Sequence, residues 1–109
     1  MLFAKGEFYG AADRFRKAVE YDSTDFSSQA DLGLALACAG NTTEGVKELQ
    51  LALKLNPRDA LTHTNLARVY LVQRKVKEAR FELDLALKLD PQQKLALETM
   101  KILGPPAKP

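Results

Sequence analysis

The stretch LALKLNPRDA runs from Leu51 to Ala60, and LALKLDPQQK runs from Leu85 to Lys94, thirty-four residues later. One more step of that length towards the N-terminus reaches KAVEYDSTDF, from Lys17 to Phe26. The three phrases share columns: Ala18, Ala52 and Ala86; Val19, Leu53 and Leu87; Tyr21, Leu55 and Leu89; Ser23, Pro57 and Pro91. The register extends backwards through a small column (Ala11, Gly45, Ala79) and a large one (Phe15, Leu49, Leu83). Small residues let helix backbones approach, and large ones fill the space beside them. A fixed period of this length is the mark of a repeat architecture.

Each period reads as two helices. Gln29, Leu32, Gly33 and Leu36 recur at three- and four-residue spacing, on one helical face. Gly40 suits a helix C-terminus in the left-handed region. Asn41 then caps a second helix, with Glu44 three residues on in the reciprocal capping arrangement. Pro57 ends that helix near Leu55, and Asp59 caps the next. The following period repeats this with helices over about 60–73 and 75–89. It carries Arg74 where the earlier one has Gly40, a choice with a conformational cost. Leu66 falls at a core column. QQKLALETMKIL, residues 92–103, reads as a further helix whose apolar contribution is Leu95, Met100, Ile102 and Leu103. GPPAKP, residues 104–109, cannot continue it and reads as a flexible tail.

Composition agrees with a helical reading. The chain has 109 residues, 46% hydrophobic and 28% charged, a single domain-sized length with ordinary soluble character. No apolar run approaches the roughly 20 residues of a membrane span, and MLFAKGEF turns charged too early for a signal peptide. A complete chain of this kind would be cytoplasmic. The formal charge of +2 does not by itself imply nucleic acid. Its densest basic stretch holds Arg68, Arg74, Lys75, Lys77 and Arg80, read as a solvated edge without interleaved aromatics, so a nucleic-acid partner is not expected.

Chemistry is sparse. The single cysteine, Cys38, beside Ala37 and Ala39, reads as a small buried apolar residue, and the one histidine, His63, as a packed or half-exposed one. No Gly-rich phosphate loop and no metal-ligand or calcium-loop spacing occurs, so neither an enzyme nor a cofactor is expected. Asp22 and Asp25, with Ser23 and Thr24 between them, read as helix capping.

Two helices per thirty-four residues, small and large columns, and a closing proline resemble the tetratricopeptide repeat. The second unit offers Gln29, Leu32, Gly33 and Leu36, then Gly45, Leu49 and Pro57. The third offers His63, Leu66, Ala67 and Tyr70, then Ala79, Leu83 and Pro91. The aromatic first column of the family pattern is missing in both. The resemblance implies an all-α fold, an α-α superhelix of about two and a half units plus a closing C-terminal helix. The divisions are a partial unit over 1–25, units over 26–59 and 60–93, and the closing helix over 94–103. Met1 falls near the end of what would be the first helix of its unit. The chain is therefore expected to be either a repeat-domain fragment or a protein opening on a partial cap, with the fragment favoured.

The resemblance further implies a non-catalytic scaffold that binds a peptide or partner segment in a concave groove lined by the first helix of each unit. In the second unit that face holds Ser27, Ala30, Asp31, Leu34, Ala37 and Cys38. In the third it holds Leu61, Thr64, Asn65, Arg68, Leu71 and Val72, and the last helix adds Leu95, Glu98 and Thr99. Asp31, Leu34, Leu61, Asn65, Arg68, Leu71 and Val72 are the candidate partner-binding residues. One subclass of the family grips chaperone tails through Lys, Asn and Arg at set groove positions. Asn65 stands at one such column, but Ala30, Leu34, Leu61, Leu95 and Thr99 hold the others, so no chaperone-tail clamp is expected. The alternative function is self-assembly, as a homo-oligomer joined through the open N-terminal face or the closing helix.

Overall fold

The computed structural model describes residues 5–105. Within them the chain forms α1 (Lys5–Tyr21), α2 (Phe26–Cys38), α3 (Thr42–Leu55), α4 (Ala60–Val72), α5 (Val76–Leu89) and α6 (Lys94–Leu103), with no strand. The protein is all-α, as the repeat predicts. Met1 and most of the expected C-terminal tail lie outside the described residues.

Local chemistry places the helix ends. Asp25 caps α2, its Oδ1 accepting from the Ser27 and Ser28 backbone N–H groups at 3.1 and 3.4 Å. Asn41 Oδ1 accepts from the Glu44 N–H at 3.4 Å at the start of α3. Asp59 Oδ2 accepts from the Thr62 N–H at 3.0 Å at the start of α4. Asp22 Oδ1 accepts from the Thr24 N–H and hydroxyl in the turn before α2, and those bonds hold its carboxyl below the ordinary aspartate range. The turns after α2 and α4 both need a left-handed residue. Gly40 has φ 100°, and Arg74 adopts φ 62° in the equivalent place. In both turns the chain closes in the same way: Asn41 N–H donates to Leu36 O and Lys75 N–H to Tyr70 O, each at 2.8 Å.

The chain packs as two compact units, residues 1–57 and 58–109. In the first, α2 lies between α1 and α3. Leu32, Ala35 and Leu36 of α2 pack with Ala12 of α1, flanked by Ala11, Phe15 and Val19. On the other side α2 and α3 meet backbone to backbone. A Cβ on Gly33 would sit 2.8 Å from the Gly45 carbonyl oxygen, and one on Gly45 would sit 2.7 Å from the Gly33 carbonyl oxygen. In the second unit, α4 and α5 bring Ala67 and Ala79 to the same columns, and both are fully buried with Leu83, Ala86 and Ala96. Leu66, expected in the core, is 2% exposed.

Two residues differ from the sequence reading. Ile102 does not contribute to the core: it is 82% exposed, because α6 buries Ala96 and Thr99 and turns the face carrying Leu97 and Ile102 outward. Cys38 is exposed rather than buried. It occupies the last position of α2, where the inward face is taken by Ala35, Leu36 and Ala39.

Candidate functional site

The Asp25 cap fixes where α2 begins, and the inward stripe of Gln29, Leu32, Gly33 and Leu36 fixes its rotation. That leaves Asp31, Leu34 and Cys38 on a different face, beside α1. With Phe8, Ala11, Phe15 and Ala35 they line an open, mostly apolar cleft of 230 Å³. Among the described residues of its lining, Asp31 is the one that carries a charge. Partial desolvation, helped by the nearby Asp25 charge, pushes its carboxyl above the ordinary aspartate range. A cation brought into the cleft would relieve both effects.

In the second unit the Asp59 cap and the buried stripe of His63, Leu66 and Ala67 orient α4. Leu61 and Val72 project into solvent, at 51% and 72% exposure, and Arg68 is exposed. Asn65 is half-buried, and Leu71 is half-buried against the core of this unit, so its surface is shared between packing and solvent. Ala30, Thr64 and Thr99, which the resemblance set on the groove face, are buried. The Thr64 hydroxyl hydrogen-bonds the side chain of Gln93, the N-cap residue of α6, and so ties α6 to α4.

Sequence reasoning did not find a buried polar pair that occurs once in each unit. Gln29 Nε2 donates to Glu48 of α3. Thirty-four residues on, His63 Nδ1 and Glu82 Oε1 of α5 lie 2.8 Å apart, with both side chains almost wholly buried. The carboxylate only accepts, so Nδ1 carries the proton. The signal was available: Glu48 and Glu82 are themselves a repeat column, nineteen residues after Gln29 and His63.

The basic stretch is less open than its sequence suggests. Arg80 donates from Nη1 to the Gly104 carbonyl at 3.0 Å, pinning the end of α6. Lys77 shares a cleft of 310 Å³ with Tyr70 and Phe81, aromatics that linear spacing hid, and with Glu78 and Glu82, which oppose its charge. Among the described residues no three His, Cys, Asp or Glu side chains gather as a metal-ligand group, and no helix is long and apolar enough to cross a membrane.

A family model described as tetratricopeptide repeat matches residues 36–100. The chain belongs to the tetratricopeptide repeat family. Its fold is shared with solved structures. The crystal structure of YrrB, "a TPR protein with an unusual peptide-binding site", has a TM-score of 0.83 at 24% identity, over 88% of this chain and 50% of YrrB. The chain thus spans half the length of that relative. The NMR structure of the first TPR domain of human RPAP3 gives 0.85 at 17% identity, over 90% of this chain and 77% of that one. The first TPR of Spaghetti (RPAP3), bound to the HSP90 peptide SRMEEVD, gives 0.83 at 17% identity, over 90% and 78%. No match is found among curated protein sequences.

Proposed function

We propose that this protein is a non-catalytic scaffold that binds a peptide or partner segment through the exposed faces of α2 and α4. The observation that carries the reading is the open apolar cleft beside α2, with the partly desolvated carboxyl of Asp31 in its wall. Apolar walls with a few placed polar groups suit a peptide or helix, the walls giving affinity and the polar groups fixing register. On α4, Leu61 and Val72 supply apolar contact and Asn65 can hold a backbone amide. Arg68 can take a carboxylate in a two-point bond. The family, the peptide-binding site named for YrrB and the peptide-bound Spaghetti domain support this class of function.

The ligand chemistry differs from that of an acidic chaperone tail. Asp31 favours a peptide bearing Lys or Arg, and the set of basic groove residues is absent. In fluorescence anisotropy, SRMEEVD is expected to bind weakly, and a low-micromolar Kd would overturn this part of the reading. Peptides selected from a displayed random library are expected to be rich in apolar and basic residues. The change Asp31→Lys, in the wall of the cleft, should weaken those peptides by about tenfold or more, with the helical circular dichroism retained. Unchanged affinity would count against the α2 cleft.

A further inference from the structure

The repeat supplies its own control, because each column of the second unit has a counterpart in the first that shows what the fold requires. α3 and α5 are such counterparts. At the column of Lys47, α5 carries Phe81. Lys47 is exposed, and Phe81 is 61% exposed. α3 packs on α2 with a charged side chain at this place, so packing does not ask for an aromatic ring there. The buried cluster of Ala67, Ala79, Leu83, Ala86 and Ala96 forms without Phe81.

Nor is Phe81 an isolated surface residue. It lines the 310 Å³ cleft with Tyr70 from the end of α4 and with Lys77, Glu78 and Glu82 from α5. Tyr70 packs on the core of the unit and shares the rest of its surface with the cleft. On α5, Lys77 and Phe81 are four residues apart, as are Glu78 and Glu82, so the two pairs stand in adjacent rows. The Glu82 carboxylate is held from behind by His63 Nδ1 at 2.8 Å, and its side chain is 12% exposed. A charge so placed is screened little by salt. Glu78 is exposed. Among the described residues of the lining, two carboxylates stand against one ammonium. Arg80 does not add to that positive charge, since it reaches α6 and donates to the Gly104 carbonyl.

We infer that this cleft takes an arginine side chain from a partner protein. Aromatic faces and carboxylates both attract a cation. A guanidinium is planar and weakly hydrated, so it can stack on Phe81 while its forked N–H groups meet the Glu78 carboxylate. Glu82 adds its charge from the floor of the cleft. A lysine ammonium is compact and strongly hydrated, and fits this combination less well. A nucleic-acid base could stack on the same rings, but two carboxylates repel the phosphates that supply most of such binding. In the first unit the corresponding columns hold Leu36, Thr43, Glu44, Lys47 and Glu48. Both carboxylates are kept there and both rings are lost, so the site belongs to the second unit alone. It goes beyond the peptide cleft beside α2 and does not depend on it.

Titration followed by amide chemical shifts tests this, with a blocked pentapeptide of four glycines around one arginine as the probe. The arginine peptide is expected to shift the amides of residues 77–82 with a Kd of about 1 mM. The same peptide with citrulline, which keeps the shape and loses the charge, should bind at least about tenfold more weakly. Phe81→Lys installs the residue of the sibling column, so it should fold, and it should weaken the arginine peptide by about tenfold. Phe81→Trp should retain the binding. Lys77→Gln removes a like charge and should tighten it, whereas an anionic ligand would be weakened by that change. Asp31→Lys should leave it unaltered, which separates this site from the cleft beside α2. The proposal is overturned if no amide near Phe81 shifts at several times that concentration, if citrulline binds as well as arginine, or if Phe81→Lys changes nothing. It is equally overturned if a single-stranded oligothymidine binds these residues more tightly than the arginine peptide.

Discussion

His63 Nδ1 lies 2.8 Å from Glu82 Oε1 in the interior of the second unit, where the first unit holds Gln29 against Glu48. The same slot is therefore filled by two donors of different chemistry facing one conserved type of acceptor within the chain. A buried donor that keeps its acceptor contributes modestly, whereas one that loses it carries the full cost of desolvation. Glu82→Ala, which takes the acceptor from Nδ1, should cost about 1–3 kcal/mol in urea denaturation. His63→Gln restores the pairing of the first unit and should stay within about 1 kcal/mol of the wild type. Equal losses in the two variants would show that the imidazole is held by shape alone.

Gly33→Ala should destabilise despite the better helix propensity of alanine, worth about 1 kcal/mol. The new Cβ would lie 2.8 Å from the Gly45 carbonyl oxygen and 2.9 Å from Leu49 Cγ, so backbone must move. Overpacking of this kind costs about 1–3 kcal/mol. The reverse change at the matching column, Ala67→Gly, should also destabilise, by about 1 kcal/mol, since that helix pair is already spaced for a methyl group. A thermal melt of the two variants decides it, and a raised Tm for Gly33→Ala contradicts the close contact.

Arg74→Gly should stabilise the protein. The left-handed backbone at φ 62° places a Cβ against the carbonyl oxygen, which costs about 1–2 kcal/mol for a residue with a side chain. Glycine removes that strain and gives back part of the gain as backbone entropy. A net rise of about 1 kcal/mol is expected, read as a higher urea midpoint with an unchanged slope.

The Asp31 carboxyl gives a pH signature. Its pKa is raised in the folded protein, chiefly by desolvation, so the folded state holds the proton more tightly than the unfolded one. Its contribution to stability is fully present below the ordinary aspartate value and is lost as pH rises through the raised one. Asp31→Asn should therefore be more stable than the wild type at neutral pH. That advantage should shrink to nothing below the ordinary aspartate range. An advantage that does not depend on pH would trace the effect to packing instead.

Much of the fold was legible because its punctuation is local. Pro57, Pro91, Asp59 and Gly40 each act within one turn of the backbone, and a thirty-four-residue step brings their columns into register. Arg74 was readable as a strained substitute for Gly40 on the same grounds. Ile102 was misplaced because α6 is short and its apolar residues fill more than one face. Only contact with α4 and α5 selects the face bearing Ala96 and Thr99. Cys38 was misread because alanine neighbours suggested a buried end of helix, whereas in the last turn of α2 Ala35 is buried and Cys38 stands exposed at the edge of the cleft. The Gln29–Glu48 pair is hidden in the sequence because its two columns lie on different helices, nineteen residues apart, and only the packing of α2 on α3 brings them together. The residues offered for binding are harder to read for a different reason. They are the positions where the copies disagree, so no second copy exists to check them against.

The chain contains a single cysteine, and the structure sets it, exposed, in the wall of the α1–α2 cleft with Phe15 and Leu34. Cys38 is thus a built-in reporter. The rate at which an alkylating reagent modifies its thiol measures how often the cleft is open, with no engineered label. A peptide seated between α1 and α2 should slow that rate in proportion to its occupancy, which turns the smallest deviation from the sequence reading into a direct assay of the site.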